Sequence, residues 1–231
     1  MKISILTPSI RAEGLELVNI ALKRQTFKDF EWLVGSPFES KYGTWVKDDY
    51  KGGFWSLNRI YNKLIKQASG DIIVSLQDHT LLTPQALSKF IYYMEKDPTA
   101  IITGAGDKYE SVYPLLGAKT WTDPRRKGNT TLYKVPFNEI EFNFCALPKK
   151  ALYDVGGFDE ILDFMGFGMD GYSVMDRLNM LGTYSFYMDE TNESYSMGHG
   201  RVPNWEKDNL IHGGYNERRK QYFNTPKLNY I

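Results

Sequence analysis

An apolar run, Ile72 to Leu76, stops abruptly at Gln77-Asp78-His79, and a turn with Pro84 follows. Asp and His are hard to bury and both bind divalent cations. The ends of buried strands in open α/β sheets are where ligands sit. The triplet therefore points to a metal ion or a phosphate-bearing ligand. Asp170 follows Gly166-Phe167-Gly168-Met169 and opens a stretch with helical spacing. A carboxylate there either caps the helix and offsets its dipole, or removes a proton from a hydroxyl as a general base. His199 is flanked by Gly198 and Gly200, and glycines let backbone approach a ligand closely. His212, in an Ile-His-Gly-Gly run, is the competing late histidine.

These residues need a scaffold, and the periodicity supplies one. Lys2 to Leu6 reads as a first strand, ended by Thr7-Pro8-Ser9. Leu15, Val18, Ile20, Ala21 and Leu22 fit a helical face between Glu13 and Gln25. Phe30 to Val34 reads as a second strand, and Lys41 to Gly53 as a loop. Leu57 to Ala68 has helical spacing, with Gly70 as its stop. Ile72 to Leu76 reads as a strand buried on both faces. A helix is predicted from about Pro84 to Met94, with proline near its first turn. Strands at Ala100–Thr103, Glu141–Leu147 and Thr183–Met188 follow, with helices at Lys149–Val155 and Met169–Leu181. The alternation is that of a parallel sheet covered by helices. Gly104 to Asn138 reads as irregular, with Trp121, Arg125, Arg126 and Lys127 on a loop that is either acceptor-facing or a solvated face.

The chain has 231 residues, enough for one sizeable α/β domain with an extension. Its 28 basic and 28 acidic residues balance, so no global field draws it to nucleic acid or membrane. Cys145 is the single cysteine, in an apolar run, and reads as a small buried hydrophobe. No apolar run approaches the ~20 residues of a membrane span. The N-terminus lacks the apolar length of a signal peptide. The expectation is a soluble, cytoplasmic protein.

Four segments then resemble glycosyltransferase family 2, whose members have the GT-A nucleotide-sugar-binding fold. Ile3 to Arg11 looks like the family's opening strand and loop. Arg24 to Gly35 is similar to its Gln-Thr turn and second strand. Gly52 to Pro84 resembles the Gly-rich turn, helix and strand that lead into an Asp-x-Asp metal motif. Ala151 to Gly182 resembles its Gly-Gly-Phe-Asp-Glu segment, its Glu-Asp catalytic pair and the following helix. Departures stand beside the likeness. Gly35-Ser36-Pro37 replaces Asp-Asp-Gly, Gln77-Asp78-His79 replaces Asp-x-Asp, and Met169-Asp170 replaces Glu-Asp. The order of Asn58 and Arg59 is also swapped.

The resemblance implies an α/β, GT-A (Rossmann-like) fold with a mostly parallel sheet flanked by helices. It implies a catalytic domain over residues 1–190. Residues 191–231 would form an extension that closes over the donor or packs on the domain. The implied activity is a metal-dependent, inverting, hexosyltransferase-type transfer from a nucleotide diphosphate sugar, UDP-linked, to a glycan or other hydroxyl-bearing acceptor. Asp170 is the implied base. Pro8, Ser9, Arg11, Ser36, Trp55, Asn58 and Asp78 would hold the donor. His79, Asp78 and His199 would hold Mn2+ or Mg2+, with imidazole favouring Mn2+. Asp159 and Glu160 are expected to hold a turn or touch the acceptor.

Two alternatives stay open. The replaced carboxylates suit a non-catalytic nucleotide-sugar or glycan-binding module. The basic, aromatic tail from Arg201 suits a membrane surface, self-association, or a glycosyltransferase acting on modified DNA bases. The neutral net charge argues against nucleic acid.

Overall fold

The computed structural model describes residues 1–49, 51, 56–164, 170–197 and 208–231, with side chains from Tyr215 onward in the last stretch. Ten strands form one mixed sheet: β1 (Ile3–Pro8), β2 (Phe30–Ser36), β3 (Thr44–Lys47), β4 (Ile72–Leu76), β5 (Thr80–Leu82), β6 (Ala100–Tyr109), β7 (Lys119–Trp121), β8 (Tyr133–Lys134), β9 (Phe144–Pro148) and β10 (Ser185–Met197). The helices are α1 (Gly14–Lys23), α2 (Leu57–Gln67), α3 (Ala86–Met94), α4 (Lys149–Asp154), α5 (Asp170–Leu181) and α6 (Asp208–Tyr222), with a 3-10 turn at Glu160–Phe164.

The sheet runs β3-β2-β1-β4-β9-β6-β10-β5, with β7 on β6 and β8 on β10. The first four strands of that order are mutually parallel. Strand β9 then lies antiparallel between β4 and β6. The half that carries Ser9, Ser36 and Asp78 is thus the parallel half, as the sequence pattern predicted. The other half is mixed.

Both faces of the central strands are buried, which explains their unbroken apolar runs. Ile72, Val74 and Leu76 of β4 point into a core under α1 and α3. Ile73 points the other way, into a core shared with α2, α4 and α5. Leu33 of β2 and Leu6 of β1 do the same, opposite to Trp32, Val34, Ile3 and Ile5.

Three elements differ from the sequence expectation. Strand β6 runs on to Tyr109 and, with β7 and β8, gives strand structure to part of the stretch read as irregular. Strand β10 extends to Met197 through a register shift between Asp189 and Glu193, so the expected boundary at residue 190 falls inside a strand. The tail contains α6, whose Tyr215 and Tyr222 are buried with Leu162. No helix among the described residues is long and apolar enough to cross a membrane.

Candidate active site

The parallel strands end at one edge, and the polar residues expected there converge on it. Asp78, just past β4, is 1% exposed. Arg11 donates to it in a fork, from Nε to Oδ2 at 3.1 Å and from Nη2 to Oδ1 at 2.8 Å. The Ser9 hydroxyl donates to Oδ2 at 2.6 Å and accepts from the Arg11 N–H at 3.0 Å. Such a charged, two-pronged pair is among the strongest side-chain contacts. It ties the loop after β1 to the end of β4. Pro8 lies opposite Gly35 in the β1–β2 register.

His79 takes a left-handed backbone, with φ of 56°. Its carbonyl accepts from Met197 N–H at 3.3 Å, and its own N–H donates to Gly14 at 3.2 Å. The imidazole packs on Gly14 at the start of α1. A Cβ added there would lie 2.4 Å from Cδ2 and 2.7 Å from Nε2. A side chain at position 14 would therefore evict the ring.

The fit of these residues to a cation is uneven. Both Asp78 oxygens are engaged by Arg11 and Ser9, so Asp78 as folded acts as a clamp on Arg11 rather than as a metal ligand. His79 stands at the expected strand end with its ring against Gly14. His199 and Trp55 lie outside the described residues. Among the described residues, no three His, Cys, Asp or Glu side chains group as a metal cage. A cation here would depend on donor oxygens, water and ligands beyond those described.

Ser36 is buried, and its hydroxyl donates to the Phe38 carbonyl at 2.6 Å. Its own carbonyl accepts from Trp45 Nε1 and Asp48 N–H. Its side chain shapes the turn after β2. Asn58, in the first turn of α2, is 3% exposed.

Asp170 begins α5. Close contact between α5 and the turn before β9 fixes its place, since a Cβ on Gly171 would lie 2.5 Å from Phe142 Cβ. Burial pushes the Asp170 carboxyl above its ordinary range, N–H groups of its own first turn pull it down, and the Glu141 charge pushes it up again. The Tyr61 hydroxyl, 2.9 Å from Ser75 Oγ, is buried beneath. Burial raises its pKa, and the charges of both Asp170 and Asp78 add to that.

Sequence reading passed over Asp163. It lies in the 3-10 turn, is 6% exposed, and accepts from Asn58 N–H and Asn58 Nδ2 at 2.8 Å each and from Arg59 N–H at 3.1 Å. Burial, opposed by those hydrogen bonds and reinforced by the Asp170 charge, lifts it to about 6. Its partners are 105 and 104 residues away, so no local pattern marks it. Asp159 and Glu160 have structural roles. Asp159 is buried under the tail, and Glu160 accepts from Asn62 Nδ2 at 2.9 Å.

The basic run on the β6 side is mostly internal. Arg125 binds Asp123 and the Glu139 carbonyl, and Arg126 binds Asp107 and Glu193. Trp121 remains 43% exposed. An open depression lined by Ser69, Gly70, Asp71, Lys149, Lys150 and Tyr153 lies at the opposite end of β4 and contains none of the residues above.

A family model described as glycosyl transferase family 2 matches residues 55–156. No curated protein matches the sequence. The structure of GalNAc-T7 with UDP, GalNAc and Mn2+ superposes with a TM-score of 0.69 at 13% identity, over 96% of this chain and 49% of that one. S. aureus TarS 1-349 in complex with UDP-GlcNAc superposes with a TM-score of 0.62 at 14% identity, over 87% of this chain and 60% of that one. The chain thus spans about half to three-fifths of the structures it matches, and at these identities the likeness is one of fold. The resemblance to glycosyltransferase family 2 is borne out over the matched residues, and the fold is GT-A.

Proposed function

We propose that the protein transfers a sugar from a UDP-linked nucleotide sugar to an acceptor hydroxyl in one inverting displacement. The observation that carries this reading is the Arg11–Asp78 pair at the edge where the parallel strands end, with Asp170 opening α5. The glycosyl transferase family 2 match and the UDP and UDP-GlcNAc held by the two similar structures support it.

In this reading Asp170 takes the proton from the acceptor hydroxyl as its oxygen attacks the anomeric carbon. Its burial beside Glu141 makes the carboxylate a stronger base than an exposed one. The loop after β1 is held by the Arg11–Asp78 pair. It places the Arg11 guanidinium on the side of the parallel strands that faces the donor in this reading. Asn58 and Arg59 open α2, and their N–H groups are held by the Asp163 carboxylate.

A divalent cation, Mn2+ ahead of Mg2+, is part of the proposal through His79, His199 and the Mn2+ in the GalNAc-T7 structure. When bound it would supply Lewis-acid stabilisation of the departing diphosphate.

The test is turnover of UDP-GlcNAc and UDP-GalNAc, with hydrolysis to free sugar as the acceptor-independent readout. Asp170→Asn should lower the rate by about 10²–10⁴-fold while UDP still raises the melting temperature. EDTA should abolish turnover, and Mn2+ should restore it better than Mg2+. A wild-type protein that binds UDP but turns over no nucleotide sugar, and is indifferent to Asp170→Asn, would be a binding module instead.

A further inference from the structure

Single exposed apolar side chains are ordinary on a soluble surface, but a cluster of them is not. Between positions 113 and 121 four such side chains fall together: Tyr113, Leu115, Leu116 and Trp121, with Leu115 79% exposed. They sit on the hairpin that joins β6 to β7, and its tip is held by its own hydrogen bonds. Glu110 N–H donates to the Ala118 carbonyl at 3.0 Å, Gly117 N–H to the Ser111 carbonyl at 2.9 Å, and the Ser111 hydroxyl to the Leu115 carbonyl at 3.0 Å. Val112 turns inward and is buried, while the two leucines turn outward. Cations stand beside the rings. The Arg24 guanidinium, at the end of α1, lies 5.9 Å from the Tyr113 ring, and Lys108 Nζ lies 5.4 Å from the Trp121 ring. Both side chains are exposed, and a cation on an aromatic face keeps its charge. Lys119 is held by the buried Asp107, and Glu110 is the exposed acid of the hairpin.

We propose that the β6–β7 hairpin docks the protein on an anionic membrane surface. Leu115 and Leu116 enter the acyl boundary, Tyr113 and Trp121 lie at the headgroup level, and Arg24 and Lys108 meet lipid phosphates. The chain as a whole is neutral, so the attraction is local to this patch. A second copy of the chain fits less well, because a stable protein interface takes about 800 Å² from each partner, more than four side chains on one hairpin offer. The hairpin also leaves the sheet beside the candidate site. Met197 is paired with Tyr109 in the β10–β6 register and donates to the His79 carbonyl at 3.3 Å. Docking would hold that edge of the sheet near the membrane surface.

The experiment floats the full chain with vesicles of phosphatidylcholine alone and of phosphatidylcholine mixed with phosphatidylglycerol. Binding to the mixed vesicles is expected, weakened by salt. Leu115→Ser with Leu116→Ser should lower the partition coefficient about tenfold or more, and Arg24→Gln with Lys108→Gln should do the same on mixed vesicles. All four replaced side chains are exposed, so the variants should keep the wild-type melting temperature. Cys145 is the single cysteine and is buried, so a solvent-sensitive dye on Leu116→Cys reports the tip. Its emission should shift to the blue on mixed vesicles. The same dye on Tyr153→Cys, at the opposite end of β4, should not respond. No binding to mixed vesicles, binding that survives both double substitutions, or an unmoved dye at position 116 overturns the proposal. Leucine-dependent self-association without lipid binding would make the hairpin an interface between copies and overturn it as well. None of these readouts needs turnover, so an inactive protein would sink the enzymatic reading and leave this one to its own test.

Discussion

Arg11 and Asp78 hold each other at the end of β4 through two parallel hydrogen bonds, with side chains 15% and 1% exposed. Sequence alone reads Asp78 as a metal or donor ligand because a carboxylate after a buried strand looks unpaired. Its partner is 67 residues away, beyond any local pattern. Breaking a buried pair from one side strands the other charge, typically at a cost of about 3–5 kcal/mol. Arg11→Met should therefore destabilise the protein by about that amount in urea unfolding. Arg11→Met combined with Asp78→Ser should cost clearly less than the sum of the two single changes. Strictly additive losses would mean the pair is not coupled. Asp170 was legible because its place at a helix start is a local signal. Asp163 was not, because its hydrogen-bond partners lie on α2, 105 and 104 residues away.

At the scale of elements, legibility followed length and period. Strands β1, β2 and β4 and helices α1, α2 and α5 carry apolar residues at regular spacing and were visible. Strands β5, β7 and β8 have two or three residues each, too short for a period to show. Helix α6 was hidden for another reason. Gly213 and Gly214 lie within it, and glycine is among the poorest helix formers. Tertiary charge contacts hold it instead. Asp159, fully buried, accepts from Arg218 Nε at 2.5 Å, Tyr222 at 2.7 Å and Tyr230 at 3.1 Å. Asp176 of α5 accepts from Tyr215 at 2.7 Å and is paired with Arg219. Leu228 N–H closes on the Val155 carbonyl at 2.9 Å. The tail thus braces α5, the helix that begins with Asp170. Asp159→Ala should cost about 3–5 kcal/mol and speed hydrogen exchange in both α6 and α5. Faster exchange confined to α6 would show that the brace does not reach the candidate base.

Over the whole molecule, the buried carboxylates divide into two groups with opposite consequences for stability. Burial pushes Asp159 up, but hydrogen bonds from Arg218 and Tyr222 and the Arg218 charge hold it below its ordinary value. Asp123, opposed by burial but bound by Arg125 and Gly106 N–H, behaves alike. Groups lowered by folding stabilise above the unfolded value of 3.8, and that stability is lost as pH falls below it. Asp163 is raised, from 3.8 to about 6. The folded chain keeps a proton there that the unfolded chain releases. Its contribution is therefore complete below about pH 4 and lost as pH rises through about 6. The two groups meet in a stability maximum on the acid side of neutrality. The melting temperature should climb as pH drops from 7.5 to about 5, then fall below about pH 4. In Asp163→Asn the climb should shrink by an amount on the order of 2–3 kcal/mol, a few degrees for a chain of this size. A wild-type melting temperature that declines steadily from pH 7.5 to 5 would contradict it. At neutral pH the fold keeps Asp163 charged in a buried place, at the expense of stability. Strain of that kind concentrates where a protein does chemistry.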